Sequence, residues 1–554
     1  MTDSARRWLQ GAVSPNAALR FGLVFAAIVA AVGVCAWAQL RENKDHQVAF
    51  LITASTIAGT ALLIFGWLVV TAPWSWLSRM GTIVGFGAAV GVFFQLVRID
   101  ETSGDVVPKL AWRWTPKHDV ALAAEFADLV GGKADLSTTT AEDSPEFLGQ
   151  DRRGMVAGPA LARDWSGTPP REIWRRPIGA AWSSFAIVGN YAVTQEQRGE
   201  NELVVCYELS TGKPVWYHAD KVRFEEVLAG VGPRSTPTVV DGRVYTLGAL
   251  GLLNCLDGAT GKCLWSHDVA AENGADTPDR KPEWGKSCSP LVVDNAVVVS
   301  AGGPDGHSLV AYDKETGQEL WHAGDAPSSY SSPLLATLAG RRQIVIVNRM
   351  NVEGHDPADG HILWQYDWPM PNPKCAEPLV IGDDTVLVSA GYGLGSALLR
   401  IVPGSDGNFT VEQLWADRNL RNLKSKFANM VLRDGYVYAL DDGVLCCIEA
   451  ETGKRRWRGG RYQHGQLLLV GELLLVVGEA GELALVETNP KSFVELGRIT
   501  ALTAKTWNNP AISGRKLLVR NHEEAVCYEL PLADSTGGDD IPPEDASLEG
   551  ASAK

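Results

Sequence analysis

Eight short segments, from residue 182 onward, each place polar, charged or aromatic side chains just before an apolar run. They are WSSF (182–185), RSTP (234–237), KSCSP (286–290), YSSP (330–333), KCAEP (374–378), KFANM (426–430), HGQL (464–467) and WNNP (507–510). If a fold brought them together, cations would stand beside aromatic rings, which suits a planar or anionic ligand through charge-assisted hydrogen bonds and stacking. The candidate binding residues are Trp182, Arg234, Lys286, Tyr330, Lys374, Lys426, His464 and Trp507, with Glu377, Asn429, Gln466 and Asn509 beneath them. The alternative is that these polar groups only solvate a wet channel.

The cysteines and histidines indicate no catalytic residue and no metal site. The nine cysteines include one adjacent pair, Cys446-Cys447, but no C-x-x-C or C-x-x-C-H, so we predict no zinc site, c-type haem or disulfide framework. Cys447 occupies a repeated position that Cys, Ala or Gly fills elsewhere, which is typical of a small buried strand site. The histidines lie at turns and are predicted to be solvated (His307, His322, His355 and His361).

A repeat predicts the elements that would bring the eight segments together. Five segments align without gaps: CYELSTGKPVW (206–216), CLDGATGKCLW (255–265), AYDKETGQELW (311–321), GHDPADGHILW (354–364) and CIEAETGKRRW (447–457). Weaker copies end at Trp415 and near Leu496, and Trp174 has a similar context. The spacing of these positions falls in the range of propeller blades made of four strands.

The repeat unit predicts four antiparallel strands. Thr-Gly or Asp-Gly after an alternating run supplies the positive φ of a tight turn, and the tryptophan offers a rigid surface between neighbouring sheets. We therefore predict an all-β, eight-bladed propeller, in which the strand at 172–177 completes the last blade (510–530) and closes the ring. Seven blades are the alternative, since the Leu496 copy is poor. The starts of the innermost strands, which carry the eight segments, would converge on one mouth of the central channel.

The first hundred residues predict a membrane anchor. They hold three long runs without charge, and we expect transmembrane helices at 21–40, 48–71 and 81–97. The amino-terminal segment carries three arginines against one acid, which favours a cytoplasmic start. Three crossings then predict a multi-pass protein of the inner (cytoplasmic) membrane, in contact with lipid and with its propeller on the periplasmic side.

Charge is divided unevenly along the chain. The first hundred residues are slightly basic, whereas the whole chain has a formal net charge of −15. This acidic balance argues against a nucleic-acid partner, which needs a basic surface. We predict an anchor at 1–100, a linker at 101–164 with one short helix near 119–130, a propeller at 165–530 and a disordered acidic tail at 531–554.

The A/C-x-D/E-x-x-T-G-x-x-x-W pattern resembles the repeat of pyrroloquinoline-quinone (PQQ)-type β-propellers. That superfamily includes quinoprotein alcohol dehydrogenases and the propeller lipoprotein of the β-barrel assembly machinery, and residues 164–216 also resemble uncharacterised planctomycete repeat proteins. The helices, the repeats and the missing catalytic set together predict an extracytoplasmic binding or assembly module that needs no cofactor and binds a protein or small molecule at the propeller face. The alternative that the resemblance implies is a membrane-bound quinoprotein dehydrogenase that oxidises alcohols or sugars. Such enzymes carry PQQ under a disulfide of adjacent cysteines, a calcium held by Glu, Asn and Asp, and a catalytic Asp.

Overall fold

Three long helices come first in the computed structural model, which describes residues 15–40, 46–126, 129, 131–369, 372–405, 407–417, 419 and 421–533. They are α1 (Pro15–Leu40), α2 (His46–Thr71) and α3 (Trp76–Leu96), and each is long and apolar enough to cross a membrane. Almost none of their surface is buried within the protein, as expected of helices that are apolar all round. The three predicted helices are confirmed, and α3 begins earlier than predicted because Ser75 caps it. Most of the predicted acidic tail, from residue 534 onward, lies outside the described residues.

The remaining elements are almost entirely strands. Between α3 and the ring lie β1 (Val97–Thr102), β2 (Pro108–Trp112), α4 (His118–Ala121), β3 (Met155–Val156) and β4 (Arg171–Pro177). Blade 1 is β5 (Ala186–Val188), β6 (Tyr191–Arg198), β7 (Asn201–Glu208) and β8 (Pro214–Asp220), followed by the short pair β9 (Glu225–Glu226) and β10 (Gly230–Val231). Blade 2 is β11 (Thr238–Val240), β12 (Arg243–Leu247), β13 (Leu252–Asp257) and β14 (Cys263–Asp268), followed by α5 (Val269–Glu272). Blade 3 is β15 (Leu291–Val293), β16 (Ala296–Ser300), β17 (Leu309–Asp313) and β18 (Glu319–Ala323).

The other five blades follow in chain order. Blade 4 is β19 (Leu334–Leu338), β20 (Arg341–Val347), β21 (Asn351–His355) and β22 (Ile362–Asp367). Blade 5 is β23 (Leu379–Val380), β24 (Thr385–Ala390), β25 (Gly395–Pro403) and β26 (Phe409–Ala416). Blade 6 is β27 (Ser425–Arg433), β28 (Tyr436–Asp441), β29 (Val444–Glu449) and β30 (Arg455–Arg461). Blade 7 is β31 (Gln466–Val470), β32 (Leu473–Val477), β33 (Glu482–Glu487) and β34 (Glu495–Thr500), and blade 8 is β35 (Ala511–Ser513), β36 (Lys516–Arg520) and β37 (Glu524–Glu529) with β4.

The ring closes through β4. It pairs antiparallel with β37, with Trp174 opposite Cys527, and thereby adds the outer strand of blade 8 from the amino-terminal side of the propeller. The prediction of eight four-stranded blades is confirmed, and the seven-bladed alternative is wrong, because the poor copy near Leu496 does form a complete blade. Closure leaves no open sheet edge between the first blade and the last.

The packing between blades explains the repeat. The indole N–H of Trp216 donates to the carbonyl of Gly258 (3.0 Å), in the turn of the next blade. Its ring covers Gly261, where φ is +72° and a Cβ would lie 2.4 Å from the tryptophan ring. Glycine is therefore required there twice, for the turn and for the ring of the preceding blade. The same arrangement joins Trp174 to Gly212 and Trp415 to Gly453.

Side chains between adjacent sheets form the core. The repeated small position is fully buried at Cys206, Cys255, Cys447 and Cys527, as predicted. One histidine prediction is wrong: His355 is completely buried, with partners for both of its ring nitrogens. Its Nδ1 lies 2.8 Å from the carbonyl of Gly360, and its Nε2 lies 3.3 Å from Glu353.

Candidate functional site

A cavity of about 180 Å³ lies in the central channel, where the inner strands begin. Four of the eight candidate binding residues line it, namely Trp182, Arg234, Tyr330 and Trp507. All four residues expected beneath them line it too, namely Glu377, Asn429, Gln466 and Asn509. The segments at the starts of the inner strands therefore do converge on one space.

Five aromatic rings form a continuous chain around this cavity. Trp182 contacts Trp507 (centroids 4.9 Å apart), and Trp507 contacts Phe427 (6.1 Å). Phe427 contacts Trp284 (5.9 Å), which contacts Tyr330 (5.2 Å). Trp284 and Phe427 are not among the predicted binding residues, although KFANM contains the phenylalanine and Trp284 lies just before KSCSP. The cavity wall is consequently more aromatic than the candidate residues alone indicate.

The three candidate lysines (Lys286, Lys374 and Lys426) are not among the described residues that line the cavity, because their ammonium groups contact other parts of the propeller. The Lys286 ammonium donates to the carbonyl of Ala301 (2.7 Å), and that of Lys374 donates to the carbonyl of Arg349. Burial lowers the pKa of each of these two to about 8. The Lys426 ammonium lies 4.5 Å from the ring centre of Tyr392 and 3.8 Å from Asp442.

Arg234 is the candidate cation that stays at the cavity. Its guanidinium donates to the carbonyls of Ala229 (2.9 Å), Gly230 (3.3 Å) and Gly232, and it stacks over the ring of Phe224. Burial lowers the pKa of Arg234 to about 10. Backbone oxygens therefore already compensate this charge.

A hairpin closes the mouth of the channel. We call β1, β2 and the turn 103–107 between them the cap hairpin. The backbone N–H of Gly104 donates to the carboxylate of Glu479 (2.5 Å), and Asp105 lies 3.1 Å from His464 Nε2 and 3.1 Å from Arg461. Lys505 donates to the carbonyl of Thr102 (2.8 Å). His464, the remaining candidate residue, therefore contacts the cap hairpin and is not among the residues that line the cavity.

Charge pairs reinforce the docking of the cap. Burial alone would raise the pKa of Asp105, but the hydrogen bond and charge of His464, together with Arg461, bring it below the ordinary value. Glu479 also accepts the indole N–H of Trp507 (3.1 Å) and the backbone N–H of His464 (3.2 Å). One buried carboxylate therefore joins the cap to the aromatic wall.

A second segment closes the far end of the channel. We call residues 143–156 the far-side loop. Its strand β3 pairs in parallel with the last residues of β31, whereas the cap hairpin contacts His464, just before β31 begins. The loop and the cap hairpin therefore lie at opposite ends of this inner strand. Arg152 is buried and donates to the carbonyls of Ser289 (3.1 Å) and Pro333 (3.1 Å) and to Thr238 Oγ1 (3.2 Å). Phe147 reaches the cavity from this side. The cavity is thus enclosed between two single-copy segments.

The polar atoms of the cavity are few and mostly uncharged. Gln466 Oε1 and Asn509 Oδ1 are buried and accept no hydrogen bond. Burial raises the pKa of Glu377 to about 8, even though both carboxylate oxygens accept the backbone N–H of Ser332 (2.8 and 3.0 Å). Burial also raises the pKa of the Cys375 thiol to about 12. At neutral pH these two side chains are therefore protonated.

The cavity does not fit PQQ with calcium. Cys446 and Cys447 are both fully buried free thiols of β29 that face different inter-blade cores, and neither lines the cavity. Glu377 is the single carboxylate among the described lining residues, whereas calcium takes about six to eight oxygen ligands, typically with several carboxylates among them. The Asn429 Oδ1 atom is already used, because it accepts the backbone N–H of Glu377 (2.8 Å).

One group outside the cavity has metal-ligand chemistry. Within the described part of the chain, His307, Glu319 and His322 are the side chains close enough to share an ion. The two histidine rings stack 3.8 Å apart at the surface of blade 3. Glu319 and His322 are exposed and His307 is half-buried, which agrees with the solvated positions predicted for these two histidines.

Comparisons with known proteins agree with the propeller fold. A family model described as outer membrane protein assembly factor BamB matches residues 200–458. BamB of Moranella endobia is 23% identical over 290 residues, which cover 51% of this chain and 68% of that protein. The dehydrogenase subunit of the quinone alcohol dehydrogenase of Komagataeibacter europaeus is 30% identical over 181 residues, which cover 29% of this chain but only 23% of that subunit. The structure of quinohemoprotein alcohol dehydrogenase from Comamonas testosteroni has a TM-score of 0.51 at 13% identity, covering 79% of this chain and 87% of that one. The chain is therefore a propeller of PQQ-like repeats, as the sequence predicted.

Proposed function

We propose that this protein is a membrane-anchored binding or assembly module whose propeller lies outside the cytoplasmic membrane. The cap hairpin is the observation that carries the proposal. Because α3 ends at Leu96 and β1 begins at Val97, one continuous segment both leaves the anchor and closes the channel. The aromatic cavity beneath the cap is the proposed binding site.

The helix ends support an outward-facing propeller. The start of α2 lies against the ring, since His46 donates its backbone N–H to Asp442 (3.3 Å) and its Nε2 lies 2.9 Å from Arg461. The end of α3 lies at the same side through the cap hairpin. With a basic, cytoplasmic amino-terminal segment, three crossings lead to a periplasmic propeller in the inner membrane of a bacterium.

The cavity chemistry supports binding over catalysis. The assembly-factor names of two relatives favour a protein or ligand partner, whereas the matches to dehydrogenase subunits span less than a quarter of those subunits. Among the described lining residues, no pair of carboxylates and no thiol pair is available to a quinone and its metal. We therefore favour the binding module over the quinoprotein dehydrogenase.

Reporter fusions test the orientation. Alkaline phosphatase, which is active only outside the cytoplasm, is fused after Ala533, and green fluorescent protein replaces it in a second fusion. We expect phosphatase activity without fluorescence. Fusions after Thr71, on the opposite side of the membrane, are the matched control and should show the reverse. A fluorescent fusion after Ala533 would contradict the proposal.

Reconstitution tests the choice against catalysis. We expect that PQQ with Ca²⁺ neither raises the melting temperature of the purified protein nor produces dye-linked oxidation of a panel of alcohols and sugars. PQQ-dependent turnover would contradict the binding role.

A further inference from the structure

We propose that the cavity binds an uncharged, membrane-soluble molecule that carries a flat ring with an O–H or N–H donor. This inference rests on the proposed function and names the ligand class of the same site. Three features carry it: the size and aromatic wall of the cavity, its unpartnered acceptors, and the position of its mouth.

The cavity has the size and surface of a ring-binding site. Its volume of about 180 Å³ exceeds the roughly 150 Å³ at which a dry apolar cavity in another protein binds benzene. The chain of Trp182, Trp507, Phe427, Trp284 and Tyr330 offers faces and edges against which a flat ring can stack. The wall thus favours an aromatic or similarly planar group over an extended polar one.

The polar atoms select a hydrogen-bond donor. Gln466 Oε1 and Asn509 Oδ1 are buried acceptors without a donor, and a buried unsatisfied group destabilises the protein until a partner arrives. The amide nitrogen of Gln466 donates to the carbonyls of Phe427 (3.2 Å) and Trp507 (3.1 Å), which orients that side chain. A ligand O–H or N–H would satisfy an oxygen that the fold leaves unpaired.

The cavity disfavours a charged ligand. Glu377 is neutral at pH 7, and the Arg234 guanidinium is held by backbone carbonyls. No lysine is among the described residues that line the cavity: Lys286 and Lys374 bind carbonyls away from it. The Lys505 ammonium, which lies 4.1 Å from the ring centre of Trp507, donates to the carbonyl of Thr102. An uncharged ligand avoids an uncompensated buried charge.

The mouth of the cavity lies at the membrane surface. The cap hairpin continues directly from α3 and is amphipathic: Ile99 pairs with Leu110 on its outward face, where they are 50% and 53% exposed. Trp112 and Trp114 extend this surface as a stacked, exposed pair, typical of aromatic residues at a membrane interface. The opposite face turns to the propeller, where Glu101 lies 3.4 Å from Lys505. We infer that the bilayer supplies the ligand past this hairpin.

Matched probes test the inference on the full-length protein in lipid nanodiscs. Equilibrium dialysis measures the binding of 1-naphthol, a neutral ring with one O–H, and of 1-methoxynaphthalene, which has the ring but no donor; empty nanodiscs give the lipid background. We expect 1-naphthol to bind three- to tenfold more tightly, the effect of one hydrogen bond. Asn509→Leu should reduce this preference and Asn509→Leu together with Gln466→Leu should remove it, whereas Asn190→Leu, at an exposed turn, should keep it.

Two further arms address the wall and the source of the ligand. Phe427→Ala should weaken the binding of both probes, since it removes a ring from the wall. 4-Pentadecylphenol, which stays in the bilayer, should displace 1-naphthol; failure to do so while 1-naphthol binds would overturn the membrane source. Absence of 1-naphthol binding, or equal affinities of the two probes that Asn509→Leu does not change, would overturn the ligand class. Those results would leave the orientation and reconstitution tests, and hence the proposed function, standing.

Discussion

Gly104 should be the most sensitive position of the cap hairpin. A Cβ at residue 104 would lie 2.1, 2.6 and 2.9 Å from Cδ2, Cγ and Cβ of His464. Because these atoms include the root of the histidine side chain, rotation of the ring alone cannot relieve the overlap. Gly104→Ala must therefore displace the turn from the mouth of the channel.

The loss of docking can be worked from the contacts. Displacement breaks the hydrogen bond from Gly104 to the buried Glu479 carboxylate, which contributes about 1.5–3 kcal/mol. It also weakens the pairing of Asp105 with His464 and the half-exposed Arg461, by up to about 1 kcal/mol in total. A loss of about 1.5–4 kcal/mol raises the undocked population roughly 10- to 1,000-fold.

Hydrogen exchange followed by mass spectrometry measures this population. In Gly104→Ala, amides of 97–112 should exchange faster by that factor, while amides of β31 and β32 keep their protection, since the blades do not depend on the cap. Gly87→Ala, in α3 where a Cβ meets nothing within 4 Å, is the matched control and should leave exchange unchanged. Unchanged exchange at 97–112 in Gly104→Ala, or equal loss across the ring, would refute the reasoning.

Four further changes test other parts of the fold. The pKa of Glu377 is about 8 in the folded state against an ordinary 4.5, so its ionisation is a stability cost that is absent below pH 4.5 and complete above pH 8. Glu377→Gln should therefore gain up to about 5 kcal/mol in the free energy of unfolding over the wild type across that range, measured in urea. The hydrogen bond from His522 lowers the pKa of Glu523 to about 2, so the ionised Glu523 stabilises the folded protein. Glu523→Gln should therefore be less stable than the wild type above pH 4.5, and the difference should vanish toward pH 2. Trp216→Ala should cost about 3–5 kcal/mol, against less than about 1 kcal/mol for the exposed Leu264→Ala, and equal costs would contradict the inter-blade packing. Arg152→Ala should lower the free energy of unfolding by about 2–4 kcal/mol, because it leaves the carbonyl partners of the guanidinium unpaired. Unchanged stability, with a loss confined to activity or binding, would show that the far-side loop does not stabilise the ring.

The blades could be predicted because their information is local and repeated. Turn glycine and tryptophan recur at a fixed separation, and each tryptophan packs on the glycine of the next copy, as Trp216 does on Gly261. Chain order then fixes which sheets are neighbours, and the same logic supplied β4 as the missing strand of blade 8. A poor copy near Leu496 still forms a blade because its flanking copies define the space it fills.

The closure of the channel could not be predicted in the same way. The cap hairpin and the far-side loop occur once, carry no period, and contact residues hundreds of positions away, such as Asp105 with His464. The site was predicted in part, because the propeller fold brings the starts of the inner strands together whatever side chains they carry. Where each side chain then binds depends on local carbonyls and acids, which is why Arg234 stays at the cavity while Lys374 binds the carbonyl of Arg349.

The most direct test of the account is an electron cryo-microscopy map of the full-length protein extracted from its native membrane into lipid nanodiscs. We expect a docked cap hairpin with non-protein density beneath it, packed against the wall that Phe427 and Trp507 form and within hydrogen-bond distance of Asn509. Density for PQQ with a metal ion at Glu377, or a cavity that holds only water beneath an undocked hairpin, would contradict it.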